Sequence, residues 1–354
     1  MMRAPPLRHV FATSVKEAAH LLATDPRAMI LAGGTDVVPN LKRRQFAPSL
    51  LVSVKRVDAL RAIRAVAGGG LSIGAGVSLS DLAVDARFAK AARALRSATA
   101  QVATPHIRNV ATLGGNLCLD TRCTYYDQNL EWRQAIGYCM KAPKSSGGVA
   151  LRDKEDCICW VAPQSPKCKA VSSTDSAPAL IALGASVVLE SKDGERTLPL
   201  RELYADDGMA FLTKRGDEIL REVVLPADFQ HWTSTYWKLR RRDSFDFPVL
   251  GVGAALKLGS GGTITDARIA LGGVLSAPIL VPESATLVGK TLTDDAITAF
   301  AELAAKHAKP LDNTDLEFPW RKRVTKVFVA NALKELRGDD RASMGRLAER
   351  AVVG

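Results

Sequence analysis

Apolar positions along this chain recur with two different periods, and each change of period marks an element. Behind Ser14-Val15-Lys16-Glu17, a serine with glutamate three positions on, helical spacing predicts a capped helix through Leu22. Residues 29–32 and 50–54 are short unbroken apolar runs of the buried-strand kind. Residues 71–76 follow a Gly68-Gly69-Gly70 turn and read as a strand of a second sheet. Residues 91–102 are alanine-rich and helical, and 177–183 predict a helix with proline in its first turn. Residues 185–190 and 195–198 flank Asp193-Gly194 as a hairpin, and 219–225 form a strand stopped by Pro226. Composition shifts near Asp228. Beyond it, 236–239, 249–258 and 264–271 predict three antiparallel strands, 294–307 and 320–336 two helices, and the charged residues from Arg337 a mobile tail.

The 354 residues are 47% apolar and 24% charged, a soluble globular composition with room for two or three domains. No stretch approaches the ~20 apolar residues of a membrane span, and Met1-Met2-Arg3-Ala4-Pro5-Pro6 is no signal peptide, so a cytoplasmic protein is expected. The net charge of +11 is dispersed, with small knots at Lys42-Arg43-Arg44, Arg240-Arg241-Arg242 and Arg321-Lys322-Arg323. Aromatic residues make up 6%, too few for a base-stacking surface, which argues against nucleic acid and leaves a solvated face or steering of an acidic partner.

All six cysteines fall between Cys118 and Cys168. Their spacing fits neither a zinc ribbon nor the tight run of a bacterial ferredoxin. Four thiolates drawn from loops still suit a cubane cluster; disulfides and inert thiols are the alternatives. Catalytic residues are not evident: His9, His20, His106, His231 and His307 are isolated, and no acid–base dyad stands out.

Two glycine turns share a logic. Gly33-Gly34-Thr35-Asp36 follows a buried strand, and Gly114-Gly115-Asn116 ends a Thr112-Leu113 step. A Gly-Gly pair lets backbone N–H groups approach an anion, and Thr35, Thr112 and Asn116 add side-chain donors. Together the turns suit the two phosphates of a dinucleotide. This is not a Rossmann fingerprint, because Leu256 stands where a third glycine should follow Gly251-Val252-Gly253.

The segments Ile30-Leu31-Ala32-Gly33-Gly34-Thr35-Asp36, Thr112-Leu113-Gly114-Gly115-Asn116 and Asp175-Ser176-Ala177-Pro178-Ala179-Leu180 resemble the FAD-binding medium subunits of the xanthine dehydrogenase and carbon monoxide dehydrogenase family. Tyr236-Trp237-Lys238-Leu239-Arg240-Arg241-Arg242 and Leu271-Gly272-Gly273-Val274 extend the likeness over roughly residues 5–336. The resemblance implies an α+β protein: a two-subdomain FAD-binding fold of the vanillyl-alcohol-oxidase (PCMH) type, then a C-terminal α+β domain with a three-stranded antiparallel sheet and helices. The boundaries would be 1–227 (subdomains about 1–56 and 57–227), 228–337 and a tail at 338–354. By the same resemblance Ile30, Leu31, Ala32, Gly33, Gly34, Thr35, Asp36 and Val37 would line one phosphate and the ribityl chain. Thr112, Leu113, Gly114, Gly115 and Asn116 would hold the other phosphate; Val102 and Leu220 would pack on the cofactor; Asp175 would bond its polar chain. Lys238 would sit near the isoalloxazine, where the residue alone suggests only a surface salt bridge.

The chain departs from that family between Asn116 and Asp175, which stand 59 positions apart where a short loop is usual. The intervening insertion, about 118–170, carries Leu119-Asp120-Thr121-Arg122-Cys123-Thr124-Tyr125-Tyr126-Asp127-Gln128-Asn129, Glu131-Trp132-Arg133 and Cys139-Met140-Lys141. It resembles the β subunits of 4-hydroxybenzoyl-CoA reductases, whose insertion binds a [4Fe–4S] cluster. The matching pattern selects Cys123, Cys139, Cys159 and Cys168, with Cys157 as the alternative to Cys159 and Cys118 left as a packed hydrophobe. Lys144-Ser145-Ser146-Gly147-Gly148 and Asp153-Lys154-Glu155-Asp156 read as a surface excursion. The resemblance implies electron transfer from reduced ferredoxin through FAD to the [2Fe–2S] centres of a small subunit. A large molybdenum-cofactor subunit would then dehydroxylate 4-hydroxybenzoyl-CoA in anaerobic aromatic degradation, the whole being a dimer of heterotrimers. The alternatives are an FAD subunit of another molybdenum hydroxylase, passing electrons outward, and a zinc-bearing scaffold.

Overall fold

A computed structural model describes residues 3–142, 157–242 and 245–344. The surface excursion expected at 144–148 and 153–156 lies outside the described residues.

The first 53 residues build a small parallel sheet from β1 (Arg8–Phe11), α1 (Val15–Thr24), β2 (Ala28–Leu31), α2 (Val37–Lys42) and β3 (Leu50–Ser53), in strand order β1-β3-β2. Parallel neighbours need crossovers, and α1 and α2 supply them. Ser14 Oγ accepts the Glu17 N–H at 3.1 Å. The returning Glu17 carboxylate takes the Thr13 N–H at 2.7 Å, one residue earlier than a strict capping box.

The second unit comprises β4 (Ile63–Ala65), β5 (Leu71–Gly74), α3 (Leu79–Val84), α4 (Arg93–Ala100), α5 (Pro105–Arg108), α6 (Leu113–Leu117), α7 (Leu130–Ala135), α8 (Ser176–Ala182), β6 (Ser186–Ser191), β7 (Gly194–Pro199) and β8 (Ile219–Leu225). Its sheet runs β4-β5-β8-β6-β7 with antiparallel neighbours. On β8 successive side chains serve different cores. Ile219 joins Val15, Leu22 and Val52 of the first unit, and Leu220 joins Ile73, Leu180 and Leu189 of the second.

The C-terminal unit contains β9 (Thr233–Leu239), β10 (Leu250–Leu258), β11 (Ile264–Gly272), β12 (Ile279–Leu280), α9 (Asp294–His307) and α10 (Phe318–Arg337). The sheet order is β12-β11-β10-β9, so a two-residue fourth strand extends the three expected. Both faces are covered. Trp237, Val252, Ile269, Phe300 and Phe328 form one core under α9 and α10, while Tyr236, Ala255 and Ala270 face α8 and join the core of the second unit. Trp237 meets Phe328 edge-on at 6.1 Å.

Two expectations are corrected here. The chain beyond Arg337 is packed as far as 344: Arg341 donates to Glu335 at 2.9 Å and to the Tyr236 carbonyl at 3.0 Å, and Met344 is buried in the α9/α10 core. The basic knots are also less free than their text suggests. Arg321 is buried, donating to the carbonyls of Leu311 and Gly273, and Arg241 and Arg242 pair with Asp315 and Asp246. Among the described residues no helix is long and apolar enough to cross a membrane.

Candidate functional site

The two glycine turns meet. The chain leaves β2 at Ile30 and Leu31, turns through Ala32, Gly33, Gly34 and Thr35, and enters α2 at Asp36 and Val37. Gly34 has φ +74°, a left-handed conformation that glycine adopts without steric cost. A Cβ on Gly33 would collide with the Val110 carbonyl oxygen, so this turn rests directly on the backbone that leads into Thr112. Among the described residues no hydrogen bond engages the N–H groups of Gly33, Gly34, Thr35 and Asp36. These donors are available to an anion.

The second turn differs from its expectation. Residues 113–117 are the short helix α6, and its first N–H groups are already satisfied. Leu113 donates to the Val77 carbonyl at 3.0 Å, Gly114 to Ala75 at 2.8 Å, Gly115 to Thr112 Oγ1 at 3.1 Å and Asn116 to the Thr112 carbonyl at 2.9 Å. Thr112 therefore acts as a helix cap. Asn116 Oδ1 accepts from Thr174 Oγ1 at 2.9 Å and from the Ser176 N–H at 3.1 Å, which staples α6 to α8. What this turn offers a ligand is shape: Gly115 is exposed, and a Cβ there would meet only Thr112 Oγ1, at 3.0 Å.

Asp175 and Lys238 are brought together. Lys238 on β9 donates to Asp175 Oδ2 at 3.0 Å and to the Gln101 carbonyl at 2.9 Å, beside half-buried Val102; Tyr236 donates to Asp175 Oδ1 at 2.8 Å. The pair is buried, with side-chain exposures of 3% and 0%, and is not the surface bridge that the lysine alone suggests. Burial pushes the Asp175 carboxyl up from its ordinary range and the Lys238 ammonium down, and each opposes the other's shift by its charge. Leu220 lies inside the core, opposite Leu189.

The insertion closes at its neck where Arg122 and Val171 exchange backbone hydrogen bonds of 2.8 and 2.7 Å. Inside, Cys123, Cys139, Cys159 and Cys168 are buried, whereas Cys118 and Cys157 are partly exposed; all six are free thiols. Burial pushes Cys123 up to about 12 and Cys168 up to about 11, and raises Cys139. Cys123 stands near enough to the other three buried sulfurs for their charge to raise it further. Cys118 instead lies against the main core, near Tyr204 and Lys214. Among the described residues no three His, Cys, Asp or Glu side chains converge as one metal ion requires. A cubane makes a different demand, since each of its four thiolates binds a separate iron. Four buried, sulfur-only donors fit that group.

Charge surrounds these thiols. Arg122 pairs with Asp36, tying the insertion to the first glycine turn, and stacks on Phe247 at 4.1 Å. Burial raises the Asp36 carboxyl, Arg122 opposes the shift, and Asp120 and Asp127 add to it. Lys141 bridges Asp120 at 2.7 Å and the Gly208 carbonyl at 2.9 Å. Gln45 donates to the Tyr126 carbonyl at 2.8 Å. Tyr125 stacks on Trp160 at 6.3 Å, and Trp160 donates to the Tyr138 carbonyl at 2.7 Å. Sequence reasoning assigned no role to Arg122, Lys141 or Gln45. Their partners lie 86, 21 and 81 positions away, beyond any local spacing rule.

Residues 5–228 match the family model described as the FAD binding domain in molybdopterin dehydrogenase, and residues 234–336 match the CO dehydrogenase flavoprotein C-terminal domain. The chain is 31% identical to the aldehyde oxidoreductase FAD-binding subunit of Escherichia coli (strain K12), over 74% of this chain and 79% of the relative. It is 28% identical to the nicotinate dehydrogenase FAD-subunit of Eubacterium barkeri, over 81% of each. Among solved structures, quinoline 2-oxidoreductase from Pseudomonas putida 86 superposes with a TM-score of 0.72 at 25% identity, over 94% of this chain and 98% of that one.

Proposed function

Because the chain belongs to the family of FAD-binding medium subunits of the molybdenum hydroxylases, we propose that its glycine turns hold the FAD pyrophosphate in two different ways. The free N–H groups of Gly33, Gly34, Thr35 and Asp36 donate to it, and the bare Gly115 surface lets it approach α6. Bound FAD supplies reversible one- and two-electron chemistry. Lys238 donates to the Gln101 carbonyl beside Val102, and the Asp175–Lys238 pair fixes α8 against β9. This is an oxidoreductase subunit with no catalytic side chain of its own. The reaction belongs to a large molybdenum-cofactor partner, and a small [2Fe–2S] partner completes a heterotrimer that pairs into a dimer. The names of the relatives, an oxidoreductase and a dehydrogenase, favour electrons leaving the substrate and passing outward through FAD.

The insertion supports a finer reading that reverses this flow. The observation that carries it is the set of four buried free thiols, with Cys139, Cys159 and Cys168 neighbouring Cys123, in a segment that the Arg122–Asp36 pair ties to the first glycine turn. On this reading they hold a [4Fe–4S] cluster, which supplies one-electron transfer when bound. The chain is then the FAD and iron–sulfur subunit of a cytoplasmic, ferredoxin-dependent 4-hydroxybenzoyl-CoA reductase. The relatives' names speak for FAD; the cluster rests on this chain's own cysteines. Serine at any one of the four should abolish iron retention and ferredoxin-driven turnover, yet leave FAD bound and a dye-driven assay active. Serine at Cys118 or Cys157 should change neither. Full ferredoxin-driven turnover in all four serine variants would remove the cluster from the electron path, and a parent complex that ferredoxin does not drive would return the reading to outward flow.

A further inference from the structure

The insertion contains a buried cation that makes no ion pair with a carboxylate among the described residues. Arg133 on α7 has 0% exposure. Its Nη2 donates to the Arg43 carbonyl at 2.6 Å, while Nε and Nη1 are buried without a partner among the described residues. The nearby carboxylates are otherwise engaged: Asp120 by Lys141, Asp127 by Arg122 and Gln45. The guanidinium carbon lies 5.8 Å from the centroid of Tyr126, whose ring packs in one cluster with Cys123, Cys139 and Cys168. A buried charge is retained when something opposite compensates it. Tyr126, Cys139, Tyr138 and Asp127 are the acidic groups close enough to act on Arg133. Burial disfavours the charged guanidinium, and neighbouring negative charge opposes that shift.

We propose that Arg133 is the counter-ion of the cysteine site, offsetting the negative charge that four thiolates carry when they hold their iron–sulfur group. This rests on the cluster reading above. One-electron reduction of that group breaks no bond and adds one unit of negative charge. A fixed cation in a dry surrounding stabilises the reduced form more than the oxidised form and so raises the reduction potential.

The test uses the full complex carrying Arg133→Met, which keeps the bulk, and Arg133→Lys, which keeps the charge. Iron and flavin contents are measured, and dithionite, as the one-electron donor, titrates the cluster by its paramagnetic signal. Arg133→Met should retain FAD and shift the cluster to a more negative potential, while Arg133→Lys stays close to the parent. Loss of iron in Arg133→Met with retention in Arg133→Lys supports the same assignment. An unmoved potential in Arg133→Met, or Arg133→Lys behaving like Arg133→Met, overturns it. A parent protein without iron overturns the cluster reading as well, so the two failures are distinguishable.

Discussion

Three glycines of the cradle make different predictions because their surroundings differ. Gly33→Ala drives a Cβ into the backbone of Val110 and should cost about 1–3 kcal/mol or more, lowering the melting temperature whether or not FAD is present. Gly34 holds a left-handed turn, so any side chain there is strained. Gly115→Ala is the cleaner probe. Alanine inside a helix gains roughly 0.5–1 kcal/mol over glycine, part of which the 3.0 Å contact with Thr112 Oγ1 removes. Thermal stability should stay near the parent's while FAD affinity falls on the order of tenfold, about 1.4 kcal/mol. A flavin-fluorescence titration checks this, and parental affinity in folded Gly115→Ala would remove the second turn from the site. The first Gly-Gly pair is legible as a turn, whereas the second lies inside α6. Which N–H groups stay free is not legible, because the acceptors that satisfy Leu113 and Gly114 are the carbonyls of Val77 and Ala75, on another segment.

Among elements, the long strands and helices could be read because their apolar period runs for several turns or pleats, as in β10, α9 and α10. The short ones could not: α2, α5 and α6 span six, four and five residues, too few to show a helical period. Residues 338–344 look like a tail because their text is charged, and only Arg341 meeting Glu335 shows why they dock. The contact between α8 and β9 depends on the Asp175–Lys238 pair. Lys238→Met leaves a buried carboxylate and should cost about 3–5 kcal/mol in urea unfolding, whereas Asp175→Asn with Lys238→Met should recover much of that loss. Equal losses in the single and double variants would mean that the two charges are not coupled. A second ion pair predicts acid behaviour. Hydrogen bonds from Arg196 on β7 hold the Glu218 carboxyl below the usual carboxylate range. Its folded pKa is depressed, so its stabilisation is present above the unfolded value of about 4.3 and is lost as pH falls through the folded value. Glu218→Gln should therefore flatten the loss of stability between about pH 5 and 3. An unchanged acid slope would show that another carboxylate governs it.

At the scale of the whole molecule, the first sheet, the second sheet and the C-terminal sheet share two continuous boundaries, one through β8 and one through the Tyr236 face of β9. The insertion is tied to the first of these units on either side of α2: Arg122 pairs with Asp36, Arg133 donates to the Arg43 carbonyl, and Gln45 donates to the Tyr126 carbonyl. The confinement of the cysteines marks this segment in the sequence, but its attachment is not legible there, because it is made by side chains reaching segments distant in sequence. Lys42, exposed on α2 at this same place, adds to a net charge of +11. Turnover driven by an acidic ferredoxin should slow as ionic strength rises, since exposed charges are screened over a Debye length of ~8 Å near physiological salt. A salt-independent second-order rate would exclude steering. The central claim, that this FAD subunit also carries a cysteine-bound cluster, is tested most directly by quantifying flavin, iron and acid-labile sulfide in the full chain purified without oxygen. The account predicts one FAD with about four iron and about four sulfide per chain. FAD with no iron, or zinc in place of iron and sulfide, would contradict it.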